Sequence, residues 1–120
     1  FIALLDSGAY QGARILAPRY AAELVRFQFT DANRPDNFPA TDGNSGLFWR
    51  TKFGGRRIGH GGNDPGVAAE MLTDADGRVG IVVISNTSLY GAANLQMRHI
   101  IDALTAYGQG LAAGGVSPPL

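Results

Sequence analysis

Between residues 46 and 87 the chain is punctuated by three turn signals, "GG" at 54 to 55, "DPG" at 64 to 66 and "DADG" at 74 to 77. Each separates short runs with strand character, and turns of this kind join antiparallel neighbours. "LFWRTKF", 47 to 53, alternates Leu47, Trp49, Thr51 and Phe53 against Phe48, Arg50 and Lys52. In "DPGV" Pro65 and Gly66 take the two central positions of a type II turn, the second of which needs positive φ. "VAAEMLT" follows, and then "RVGIVVISN", where Val79, Ile81 and Val83 fill one face while Val82 and Ile84 fill the other. A strand apolar on both faces is expected to be central and covered on both sides.

The flanks are helical. "GAANLQMRHIIDALTAYG" carries Ala93, Met97, Ile100, Ile101, Leu104 and Tyr107 along one stripe, and Gly108 is the expected stop. His99 falls outside that stripe and is assigned to solvent. Upstream, Phe1, Ile2, Leu4 and Leu5 form one apolar turn ending at Gly8. No Ser, Thr, Asp or Asn precedes that turn as a cap, and the expectation is that the chain is a piece of a longer protein. "AYQGARILAP" carries a Gly turn and an extended stretch, and Pro18 begins a second helix with Tyr20, Leu24 and Phe27 on one face. Residues 30 to 44 are rich in Asp, Asn, Pro and Gly and read as a long surface loop. The expected class is α+β: helices and loop over 1–45, an antiparallel sheet of about four strands over 46–87, a helix over 88–108 packed on the sheet, and a fraying tail over 109–120.

Composition narrows the function classes. Ten basic residues balance ten acidic ones, which argues against a nucleic-acid or anionic-membrane partner. No apolar run approaches the roughly 18 residues that a membrane span needs. Cysteine is absent from all 120 residues, which removes disulfides, thiolate metal sites and cysteine nucleophiles. No cofactor is expected, and no spacing of His60 and His99 with carboxylates argues for a metal. Arg50, Lys52, Arg56 and Arg57 put four basic residues on one hairpin, read as a solvated strand face, with an anionic substrate rim as the sharper alternative. Asp74 and Asp76 are assigned to the chemistry of their turn.

The most concentrated candidate for chemistry is "RRIGHGGNDPG", 56 to 66, where glycines strip the side chains from both sides of His60. Bare backbone lets a ligand or another chain approach a strand closely, although a bulged edge that merely tolerates glycine has the same composition. His60 is correspondingly either a structural, hydrogen-bonded histidine or an imidazole aimed into a cleft.

The run "GGRRIGHGGNDPGVAAEMLTDADGRVGIVVISNT", 54 to 87, resembles the C-terminal sheet of the serine β-lactamase-like family, which includes class C β-lactamases, penicillin-binding D,D-peptidases and related esterases. That family carries a Lys-Thr-Gly or His-x-Gly triplet, a Pro-Gly turn, a strand, an acidic Gly turn, and a strand ending in Ser-Asn or Thr-Asn; "HGG", "DPG", "DADG" and "ISNT" stand in the same order. The residues from 1 to about 25 are similar to the helix, turn and helix that precede this sheet in the family, so the likeness runs over residues 1 to 107.

The resemblance implies that His60, at the first position of the triplet, faces the nucleophile and binds an anionic group or shuttles a proton. Gly61 and Gly62 would lie along the acyl substrate. Asn63 would offer its backbone N–H as one of two oxyanion donors. His in place of the commoner Lys weakens the case for a standing positive charge and favours esterase or peptidase relatives. The family's Ser-x-x-Lys nucleophile motif is absent, since the only lysine is Lys52 and Trp49 stands three residues before it. The resemblance therefore implies the C-terminal part of a serine hydrolase acting on an ester, amide or β-lactam, with its nucleophile upstream and no turnover by this chain alone. It favours a periplasmic or secreted setting without excluding a cytoplasmic one. It also implies a bare sheet face around Val82 or Ile84 unless an upstream segment or a second chain covers it. The alternative is a binding or interaction module that uses the same sheet without chemistry.

Overall fold

The computed structural model describes residues 1–38, 43–53, 55, 57–74 and 76–114. The elements run α1 (Ile2–Leu5), β1 (Ala9–Tyr10), β2 (Ala13–Arg14), α2 (Pro18–Val25), β3 (Arg50–Lys52), β4 (Arg57–Asp64), β5 (Val67–Asp74), β6 (Gly80–Ser85) and α3 (Ala92–Ala112). β1 and β2 form a two-stranded hairpin, and the other strands form an antiparallel sheet in the order β3-β4-β5-β6. The class is α+β, with a four-stranded sheet and a C-terminal helix. By contact the chain divides into two compact units, Phe1–His60 and Gly61–Leu120.

In the first unit, the β1–β2 hairpin turns through Gln11 and Gly12, both at positive φ (48° and 80°), as a two-residue turn matched to strand twist requires. Pro18 opens α2 at a position where its missing N–H is no loss, and the helix buries Ala21. The exposed Arg26 guanidinium holds the Glu23 carboxyl below its usual value through a hydrogen-bonded pair. The loop after α2 is tied by its own side chains. Asn33 accepts from Thr30 N at 2.6 Å and donates to Gln28 O at 3.0 Å, and Phe29 and Phe38 pack with ring centroids 4.7 Å apart.

The sheet begins later than the alternation over 47–53 predicts. Ser45 bridges Arg50, Gly46 N donates to Trp49 O at 2.6 Å, and Phe48 turns the chain with φ 66°. A tight turn therefore takes Leu47 and Phe48 out of the strand and leaves Phe48 86% exposed. Arg57 also departs from the solvated hairpin face expected of it. It is only 8% exposed because it shares with Gly59 the buried side of β4. Gly54 and Arg56 lie outside the described residues.

The second unit packs α3 on one face of the β5–β6 pair. The register sets Ala68, Glu70 and Leu72 opposite Ser85, Val83 and Ile81, and opposed residues share a face. Leu72 and Ile81 on that face are buried, as are Met97, Ile101 and Thr105 along one row of α3, the element in contact with β6. Burial of Leu72 or Ile101 is worth about 1.5–3 kcal/mol each. The buried Thr105 hydroxyl is satisfied by donating to Ile101 O at 2.7 Å, one turn back. Turn residue Asp74 accepts from Arg78 N at 2.9 Å and Val79 N at 3.2 Å, the structural role read for it in "DADG".

Three expectations about this unit need correction. β6 stands at the end of the strand order, so it is not a central strand, and Val82 and Ile84 on its second face are 58% and 74% exposed. α3 does not stop at Gly108 but continues to Ala112, so the first residues of the expected tail are helical. Gly108 is small because it lies against the sheet: a Cβ there would come within 2.6 Å of Val79 Cγ1. Finally, Ile100, Leu104 and Tyr107 flank the buried row and remain exposed, because the sheet face covers only the i, i+4 row through Met97, Ile101 and Thr105. His99 is exposed, as its phase indicated, and residues 115–120 lie outside the described part.

Candidate functional site

β4 carries all four candidate site residues, His60, Gly61, Gly62 and Asn63, in one extended run that ends in the Pro-Gly turn. Gly66 takes φ 82°, the left-handed conformation that the third residue of a type II turn needs. Strand alternation puts His60 and Gly62 on one side and Gly61 and Asn63 on the other.

On the first side His60 is exposed, and a Cβ added at Gly62 would meet nothing within 4 Å among the described residues. Beside the imidazole the strand thus presents open backbone. On the second side a Cβ at Gly61 would come within 2.5 Å of Glu70 Cδ, so the Glu70 carboxylate lies over the glycine. The two glycines have different physical reasons: Gly61 makes room for a side chain already present, whereas Gly62 leaves space unfilled.

The Asn63 side chain has a structural role that its sequence position does not disclose. Leu89 N donates to Asn63 Oδ1 at 2.7 Å and Asn63 Nδ2 donates to Leu89 O at 3.3 Å, so the carboxamide pairs with one backbone residue as a neighbouring strand would. Next to it, Gly66 N donates to Ser88 Oγ at 2.8 Å and Ser88 Oγ donates to Asp64 O at 3.2 Å. Ser88, Leu89 and Glu70 are the surroundings of the site that residue patterns missed. The only signals were the hydrogen-bonding capacity of Ser88 and Asn63 and the apolar character of Leu89, none of which names a partner.

The end of β6 and the start of α3 enclose an open groove of about 550 Å³, lined by Val83, Ile84, Asn86, Leu89, Met97 and Ile100 among others. It includes the "ISNT" strand end. Among the described residues no three His, Cys, Asp or Glu side chains converge on a point where a metal could sit, and no helix is long and apolar enough to cross a membrane.

Chemically, the open side of β4 can offer an imidazole and unhindered backbone to an extended or acyl ligand. The Ser88 hydroxyl near it is engaged with the turn, accepting from Gly66 N and donating to Asp64 O. No protein-family model, curated protein or solved structure matches the chain.

Proposed function

We propose that the chain supplies the substrate strand and one oxyanion donor of a serine hydrolase resembling β-lactamases, D,D-peptidases and related esterases, the nucleophile belonging to polypeptide outside these residues. The observation that carries this reading is the open side of β4, with an exposed His60 and, among the described residues, nothing within 4 Å of a Cβ at Gly62. An acyl group laid along that strand would meet backbone rather than side chains. A serine would attack the ester, amide or β-lactam carbonyl, its proton passing to a base that accompanies it, and the carbonyl oxygen would become an oxyanion received by the Asn63 N–H. His60 would stabilise the substrate's anionic group or pass a proton to the leaving group. Water would then release the acyl group.

The same reading supplies a partner. The Val82 and Ile84 face is apolar and exposed, and an upstream segment or second chain is proposed to cover it. The alternative is a non-catalytic binding module, which the lack of Ser-x-x-Lys in the chain favours.

Assay of the full-length protein on a chromogenic β-lactam and a short-chain ester separates the two. Turnover through a serine-bound acyl adduct, lowered about 10²- to 10⁴-fold by His60→Ala, is the expected result. A full-length protein that forms no acyl adduct with either substrate leaves the binding module standing.

A further inference from the structure

We propose that the Asn63 carboxamide and the Ser88 hydroxyl are positioning residues for acyl transfer, clamping the end of β4 so that the Asn63 N–H holds one orientation. The proposal rests on the hydrolase reading above.

The need for such a clamp follows from the glycines. Gly61 and Gly62 precede Asn63 and Gly66 lies in the turn beyond it, so this strand end has few side chains of its own to fix it. Glycine backbone is also the most free to move. An oxyanion donor displaced by about 1 Å loses on the order of 10² in rate, so a donor on soft backbone needs outside support.

Four hydrogen bonds provide that support. Asn63 pairs both ways with Leu89, and Ser88 Oγ bridges Gly66 N and Asp64 O. Their partners lie 22 to 26 residues away in sequence, on the link between β6 and α3. Leu89 is 8% exposed, which anchors the far end of the clamp in the apolar interior of this unit. The clamp uses only the side chain of Asn63, so its backbone N–H and its carboxamide have separable tasks. Every substitution except proline keeps the first and tests the second.

The test measures acylation of the full-length protein by a chromogenic penicillin and a short-chain ester, with amide hydrogen exchange at Leu89 and Gly66. Asn63→Ala is expected to slow acylation about 10- to 100-fold while KM for the ester moves less than about threefold. Ser88→Ala should act in the same direction, Ser88→Thr should restore the wild-type rate, and the double variant should lose less than the product of the single losses. Should Asn63→Ala fail to fold, Asn63→Asp serves in its place, because it still accepts from Leu89 N but cannot donate to Leu89 O. A wild-type rate in either Asn63 variant overturns the positioning role and leaves the hydrolase reading intact. A wild-type protein that neither probe acylates overturns the hydrolase reading and the catalytic role with it, and unchanged exchange at Leu89 in Asn63→Ala or at Gly66 in Ser88→Ala overturns the clamp itself.

Discussion

Asn44 accepts from Phe29 N at 3.2 Å and donates to Phe29 O at 2.7 Å, the same two-way pairing that Asn63 makes with Leu89. A carboxamide presents one donor and one acceptor at the spacing of a peptide group, so it can stand in for a strand where no strand continues. Neither partner was legible in the sequence, because a side chain's partner 15 or 26 residues away leaves no local pattern. What was legible at this scale is backbone conformation. "DPG" announced positive φ at Gly66, and the structure has it there. Gly66→Ala should therefore cost about 1–2 kcal/mol in urea denaturation, the expense of forcing a Cβ into the left-handed region. Gly62→Ala should stay within about 0.5 kcal/mol, because open space surrounds the new methyl. Equal losses at the two positions would show that the Gly62 side of β4 is closed.

At the level of elements, α3 shows how far periodicity reaches. The 3.6-residue pattern named Met97 and Ile101 as inward, and both are buried, but it could not say how wide a surface the helix would meet. Ile100, Leu104 and Tyr107 were assigned to the same stripe and ended at its exposed margin. Gly108 misled for a related reason. Glycine near the end of an apolar stripe reads as a stop, yet here contact with Val79 selects it inside the helix. Gly110, two residues on, has nothing within 4 Å of a Cβ among the described residues. Gly110→Ala should thus raise stability by about 0.5–1 kcal/mol through helix propensity alone. Gly108→Ala should forfeit that gain to crowding against Val79, and a thermal melt of the two variants checks the contrast. A similar competition shortened β3, where alternation predicted a strand from 47 and the turn at Gly46 to Trp49 overrode it.

Across the whole chain, the architecture was readable because three turns and one long amphipathic segment are strong signals that agree with one another. Strand position in the sheet was not. A strand apolar on both faces reads as central, but β6 is an end strand whose second face is open; its apolar pattern alone cannot say which of the two faces finds cover, and only the family resemblance pointed to Val82 and Ile84 as the bare one. The candidate site was readable as a run of residues on one strand and unreadable as an environment, since Glu70, Ser88 and Leu89 come to it from elsewhere. The open face also bears on solution behaviour. With ten positive and ten negative charges in balance, little electrostatic repulsion opposes association through Val82 and Ile84. Ile84→Lys should reduce self-association of the isolated chain in sedimentation experiments and change its stability by less than about 0.5 kcal/mol, the side chain being 74% exposed. Association unaffected by that charge would point to a different contact surface.

The Asp74 turn matters for a choice that hydrophobicity leaves nearly undecided. Sliding β6 one residue past β5 would exchange one row of valines and isoleucines for another, so greasiness alone ranks the two alignments closely. By capturing the amides of Arg78 and Val79, a single carboxylate tells the returning strand where to begin, and so decides which of its two apolar rows turns toward α3.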